Sequence, residues 1–149
     1  MVLSLVRSKK SMTYIASHRY CSDPKNVPFG SCLGTDGDDE IFGTDKGEEI
    51  ASDTGNDIVR AGRGPDEISN NTNDSPMGDD TNYGGPGNDR IEGAKGADRH
   101  YGGRGDDVIG DDFSGGASDF IRCGPGYDTV YYNGIDKVAT DCEARYTSQ

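Results

Sequence analysis

The sequence contains no tryptophan, and only 31% of its residues are hydrophobic. A conventional globular core draws on nearly half of its residues, so 149 residues of this composition exclude one. No run of 18 apolar residues occurs, and no membrane insertion is expected. H-E-x-x-H and G-x-S-x-G are both missing, and the two histidines, His18 and His100, lie far apart. That removes the usual zinc-protease and serine-hydrolase signatures. Acidic pairs abound, but a repeat accounts for them, so two-carboxylate glycosidase chemistry is not called for. No enzymatic activity is expected.

Basic charge is scarce as well. Fifteen Lys and Arg stand against 27 Asp and Glu, for a net charge of −12. The imbalance is regional: residues 1–33 hold five basic side chains and one acid, leaving everything after them strongly acidic. Phosphate binding runs on Lys and Arg, so nucleic acid is excluded as a partner and cations are favoured. Low hydrophobicity with high net charge is ordinarily the composition of a disordered chain. Only a specific pattern overrides that expectation.

The four cysteines (Cys21, Cys32, Cys123, Cys142) form an even set with no C-x-x-C among them. Zinc is disfavoured by that spacing, and two disulfides in an oxidising compartment are expected. The opening MVLSLVRSKK has a short apolar stretch placed before its charges, a poor match to a secretory leader. An extracellular setting is therefore expected from the cysteines and the repeats.

What the chain does have is glycine, 23 residues of it, arranged with a period. An acid following a Gly-containing turn recurs every nine residues at Asp39, Glu48, Asp57 and Asp66. The series resumes at Asp80, Asp89, Asp98 and Asp107 after an insertion of Asn70 to Asp74. A second insertion, Asp111 to Phe113, shifts it to Asp119 and Asp128. Two residues before each acid, eight of ten positions are Gly, the exceptions being Lys46 and Ala117. Two residues after it, eight of ten are aliphatic: Ile41, Ile50, Val59, Ile68, Ile91, Ile109, Ile121 and Val130. Asn82 and His100 break that column, which reads as a locally degraded core covered by Tyr83 and Tyr101. Three columns keeping step across two insertions define a repeat architecture.

The copies GGPGNDRIE (84–92) and GGRGDDVIG (102–110) match G-G-x-G-x-D-x-U-x. On them the chain resembles the repeat-in-toxin (RTX) nonapeptide family over roughly residues 34–131. The stretch CGPGYDTVYYNGIDKVATDCE (123–143) is similar to the closing turn of secreted bacterial members. The resemblance implies an all-β, right-handed parallel β-roll (a β-solenoid) with two repeats per coil. It also implies a Cys123–Cys142 disulfide, with Ile135 and Val138 supplying a small cap. The expected organisation is a non-repeat segment or cap over 1–33, a roll over 34–131 and a C-terminal cap over 132–149.

Several calcium ions are the cofactor the resemblance implies, each between stacked turns. One side would pair Asp39–Asp57, Asp57–Asp80, Asp80–Asp98 and Asp98–Asp119. The other would pair Glu48–Asp66, Asp66–Asp89, Asp89–Asp107 and Asp107–Asp128. Pairs spanning the insertions require both inserts to bulge outward. Oxygen ligands at loose geometry suit calcium better than magnesium or transition metals. Lys46 and Glu48 make the Glu48 site the weakest, and Ala117 places the Asp119 turn in similar difficulty. So few aliphatics cannot offset the chain entropy of so long a repeat, and stacked carboxylates repel. Folding is thus expected to depend on the metal. The alternative function is surface recognition or adhesion, with a protein or glycan partner meeting Tyr83, Tyr101, Tyr131 and Tyr132.

Overall fold

A computed structural model describes residues 17–23, 31–70, 78–110 and 117–147. Among them there is no helix. Fourteen short strands alternate between two parallel sheets. The first sheet holds β1 (Ser17–Tyr20), β3 (Asp39–Phe42), β5 (Ile58–Arg60), β7 (Thr81–Pro86), β9 (Arg99–Arg104), β11 (Phe120–Arg122) and β13 (Lys137–Val138), in that order. The second holds β2 (Ser31–Thr35), β4 (Glu49–Asp53), β6 (Glu67–Ser69), β8 (Arg90–Glu92), β10 (Val108–Gly110), β12 (Thr129–Tyr132) and β14 (Ala144–Thr147). Each strand therefore pairs with the next but one, which is a parallel β-roll with one strand of each sheet per coil.

The register follows from the nonapeptide. Glu40 pairs with Ile58, two repeats on, and Arg90 with Val108 likewise. The offset widens across the insertions, Ile58 pairing with Thr81 and Arg99 with Phe120. Alternation is preserved on both sides of each. Strands of three residues cannot stand alone; each survives by adding one inward side chain to a column.

Those columns are the core. Ile41, Val59 and Ile121 on the first sheet, and Ile50, Ile68, Ile91, Ile109 and Val130 on the second, are fully buried. Burial of each such side chain contributes about 1.5–3 kcal/mol. Asn82 and His100 take their places in the first-sheet column and are equally buried. Tyr83 and Tyr101 do not cover them, contrary to the expectation from sequence. Adjacent residues of a strand point to opposite faces, so both rings lie on the outer face and stack on one another at 4.8 Å.

That outer face carries a continuous seam. Tyr20 stacks on Phe42 at 5.1 Å, the Arg60 guanidinium lies over the Phe42 and Tyr83 rings, and Tyr101 meets Phe120. Ring faces turned toward each other leave mainly edges to solvent. The seam therefore bonds coil to coil. Tyr131 lies on the other sheet and stacks on Tyr146.

Each end of the roll has its own closure, because an open parallel edge invites further pairing. Cys21 bonds Cys32, joining the first strands of the two sheets, with the Cα atoms 5.3 Å apart. Cys123 bonds Cys142, Cα atoms 5.2 Å apart. An arginine also replaces the aliphatic residue at each end. Arg19 stands in register with Ile41 and donates to the Leu33 carbonyl at 2.6 Å. Arg145 stands in register with Val130 and donates to the carbonyls of Cys142 at 3.0 Å and Ala139 at 2.6 Å. A guanidinium covers apolar surface with its stem and satisfies backbone with its head. Val138 packs on the core as the resemblance implied, whereas Ile135 is 56% exposed and contributes no cap. It follows a tight turn whose backbone is tied to Asn133 and points its side chain away.

Candidate metal centre

The acid of every repeat sits at the entrance to a strand, just after a turn that only glycine-rich backbone enters easily. Four residues before the acids Asp66, Asp89, Asp107 and Asp128 stand Gly62, Gly85, Gly103 and Gly124, all with φ between +106° and +124°. In the first-sheet series Asp53 adopts the same left-handed conformation, φ +70°, which Asp tolerates better than most residues.

This turn turns each carboxylate back onto the preceding coil. The Asp39 peptide N–H donates to Asp57 Oδ1 at 2.8 Å, Asp57 N–H to Asp80 at 2.8 Å, Asp80 to Asp98 at 2.8 Å and Asp98 to Asp119 at 2.6 Å. On the other side Glu48 N–H donates to Asp66 at 2.8 Å, Asp66 to Asp89 at 2.9 Å, Asp89 to Asp107 at 2.9 Å and Asp107 to Asp128 at 2.8 Å. All eight pairs anticipated from the sequence are thus brought together.

The series runs further than the repeats. Asp119 N–H donates to Asp136 at 3.1 Å and Asp128 N–H to Glu143 at 2.9 Å. Sequence reading missed both acids because they fall 17 and 15 residues on, off the period. It also missed a second ladder one residue upstream that runs in the opposite sense. Asn56 N–H donates to Asp38 Oδ1 at 2.8 Å, Asp79 to Asn56 at 2.8 Å and Ala97 to Asp79 at 2.9 Å. The enrichment of Asp and Asn before the repeat acid was the available signal. One ladder reaches backward and one forward, so the pairs of turns that carry both are clasped from both sides.

The second carboxylate oxygen separates the acids into two groups. Asp39 Oδ2 accepts from the Thr35 N–H at 2.6 Å and from its hydroxyl at 2.8 Å. Glu48 accepts from the Thr44 N–H at 3.0 Å and from the Thr44 hydroxyl. Asp80 Oδ2 accepts from the Asn70 amide. By contrast, Oδ2 of Asp57, Asp66, Asp89, Asp98, Asp107 and Asp128 is buried without a hydrogen-bond partner among the described residues. A buried orphan acceptor costs about 1–3 kcal/mol, more when charged. Six of them in two columns demand a counterpart.

Burial is the main reason these carboxyls resist ionisation. Asp57, Asp66, Asp98 and Asp107 are pushed up from the ordinary 3.8 to about 7, with neighbouring carboxylates adding to the effect. Asp80 and Asp89 rise to about 6, and Asp128 is also raised. A positive charge among them would reverse the shift.

The space beside them has the right character for a hard cation. A Cβ on Gly84 would lie 2.5 Å from Asp89 Oδ2 and 2.6 Å from the Gly102 carbonyl oxygen. A carboxylate and a carbonyl of the next coil therefore converge on a point that only the missing side chain keeps open. Among the described residues no three His, Cys, Asp or Glu side chains converge on one point. Carboxylates with backbone carbonyls form an all-oxygen donor set, which suits calcium.

The longer insertion departs from the sequence expectation at its first residue. Asn70, the first residue of the longer insert, does not bulge outward: it is buried and turned into the core. It continues the strand ladder, its N–H meeting the Glu92 carbonyl at 3.2 Å, so its side chain follows the pleat inward. Residues 71–77 and 111–116, which carry the rest of both inserts, lie outside the described residues.

A parallel solenoid whose turns stack buried carboxylates in columns is a repeat protein organised around cations. Residues 33–68 and 77–109 match the family model of the RTX calcium-binding nonapeptide repeat, in 4 copies. The matched stretches carry that family's repeat, which supports calcium binding by this chain. No match was found among curated proteins or among solved structures.

Proposed function

We propose that this chain is an extracellular calcium-binding module that folds on meeting the ion and carries out no catalysis. The observation behind the reading is the set of six buried carboxylate oxygens without hydrogen-bond partners among the described residues, at Asp57, Asp66, Asp89, Asp98, Asp107 and Asp128. These acids would hold the ions together with turn carbonyls such as that of Gly102. Asp39, Glu48 and Asp119 would complete the set of acid ligands, and Asp80 stacks in the same column with its second oxygen taken by Asn70. Bound calcium supplies the positive charge that turns carboxylate repulsion into attraction between coils. The protein's part is to stack the turns in register and exclude water from the oxygens. Without the ion, ionised carboxylates are trapped in a poorly solvated site, and the coil interface comes apart.

Residues 34–131 would form the roll and 132–149 its C-terminal cap, with 1–33, most of which lies outside the described residues, a non-repeat segment or cap. The two end disulfides fit an oxidising environment, where calcium is plentiful enough for extracellular modules that bind at about 10⁻⁴–10⁻³ M. Far-UV circular dichroism during a calcium titration tests the reading, with magnesium as the control. Strand signal should appear cooperatively with calcium and not with magnesium. A spectrum unchanged by exhaustive chelation would refute coupled folding.

A further inference from the structure

Two departures from the repeat pattern meet at one place in the fold. The first is Asn70, an inserted residue whose side chain enters the core. The second is the pair Asn82 and His100, polar residues in an aliphatic column. The Asn70 amide Nδ2 donates to Asp80 Oδ2, and Asn70 Oδ1 accepts from Asn82 Nδ2 at 2.8 Å. Asn82 Nδ2 lies 3.3 Å from His100 Nδ1. Asp80, Asn70, Asn82 and His100 are all at most 1% exposed.

The result is a buried polar chain reaching from the acid column to the centre of the core. Its beginning is telling. Asp80 Oδ1 already accepts the Asp57 peptide N–H, so the Asn70 amide covers the oxygen that stands orphaned in Asp57, Asp89, Asp98 and Asp107. An aliphatic residue at position 82 would leave Asn70 Oδ1 without the donor it has here, and the contact is kept although Asn82 Oδ1 and His100 Nε2 are buried without partners among the described residues. Asn82 and His100 are thus the support that lets Asn70 stand where it does, and the two departures are one device.

We propose that the side-chain amide of Asn70 takes the place of a cation at the Asp80 turn, so that this rung is closed by hydrogen bonds while its neighbours are closed by metal. The inference rests on the calcium reading above and refines it. It divides the roll internally: the coil that follows the long insertion keeps an acid in the column but has no vacancy for an ion on that acid's second oxygen. A seam of this kind gives the chain a metal-independent contact at the point where the repeat is interrupted.

Two measurements test it. In a crystal structure of the calcium-loaded wild-type protein, anomalous difference density should place ions within coordination reach of Asp89 and Asp107 Oδ2 and none at Asp80 Oδ2. An ion on Asp80 Oδ2 would overturn the proposal. In solution, native mass spectrometry and the calcium midpoint should compare wild type with Asp80→Asn and Asp89→Asn. An amide at position 80 keeps its oxygen on the Asp57 N–H and can donate to Asn70 once the Asn70 and Asn82 amides flip, so Asp80→Asn should keep the wild-type ion count and midpoint. Asp89→Asn should lose bound calcium and need several-fold more of it. Equal losses in the two variants would sink the Asn70 substitution while leaving calcium binding intact. Wild-type protein that takes up no calcium would sink the parent reading, and this inference with it.

Discussion

The peptide N–H of Asp57 donates to a carboxylate oxygen of Asp80 at 2.8 Å, the same distance that links Asp39 to Asp57. The first pair is 23 residues apart and the second 18. Five extra residues therefore leave the stacking of the turns unchanged, because register is held by inward side chains and backbone ladders on both sides of the insertion. The acids form continuous columns across it, and their chemistry has consequences that can be measured.

Acidity should act oppositely on the metal-free and metal-loaded forms. Without calcium, folding raises the carboxyl pKa values from the ordinary 3.8 to about 7 at Asp57 and Asp107 and about 6 at Asp89. The folded state then binds protons more tightly than the unfolded one, so this contribution is full below about pH 4 and is lost as pH rises through 6 to 7. In a chelator, strand signal at pH 5 should exceed that at pH 8. With calcium present the trend reverses, since protons and ions compete for the same oxygens: the midpoint should move to lower calcium as pH rises. Parallel slopes in the two titrations would refute the assignment.

Gly84 provides a steric test of the cradle. Gly84→Ala would bring a methyl group to 2.5 Å from Asp89 Oδ2 and 2.6 Å from the Gly102 carbonyl, the oxygens assigned to the ion. A several-fold rise in the calcium midpoint is expected. Gly110→Ala is the matched control, because no atom of the described residues lies within 4 Å of its added Cβ, and its midpoint should stay at the wild-type value.

Asp89→Asn combined with Asp107→Asn removes charge from two adjacent carboxylates of the second-sheet column, each with a buried orphan oxygen. Calorimetric titration should show fewer ions bound and a higher midpoint. The metal-free variant should be easier to fold than the metal-free wild type, because the buried repulsion is gone. Loss of calcium response without that gain would mean the carboxylates matter for some other reason.

Ile91→Ala empties a fully buried position between Ile68 and Ile109. The expected destabilisation is about 2–5 kcal/mol, read by denaturant unfolding at saturating calcium. Because folding and binding are coupled, the same change should also raise the calcium midpoint although it touches no ligand.

Breaking the C-terminal staple with Cys123→Ser and Cys142→Ser should cost about 2–4 kcal/mol. Hydrogen exchange should localise the loss to β11 through β14, the coils that the bond closes. The repeats from β5 to β8 should keep their protection, since each coil of a solenoid contacts only its neighbours.

The period of nine is enough to derive the acid, glycine and aliphatic columns, and the family resemblance it supports implies the roll and the eight acid pairs. A solenoid repeats one local conformation, so a residue's environment follows from its place in the period, and that is written in the chain. Everything off the period had to wait for the fold. Asn70 turns inward because the pleat continues past Ile68, and no spacing rule marks an inserted residue as core. Asp136 and Glu143 join the acid columns through a C-terminal segment whose turns are not nonapeptides. Arg19 and Arg145 close the ends because side-chain reach, not sequence position, brings a guanidinium over the last carbonyls. Tyr83 and Tyr101 spend their ring faces on each other because the parallel stacking of coils sets them 4.8 Å apart. Local periodicity sets the backbone; only three-dimensional packing decides which oxygens are left needing an ion.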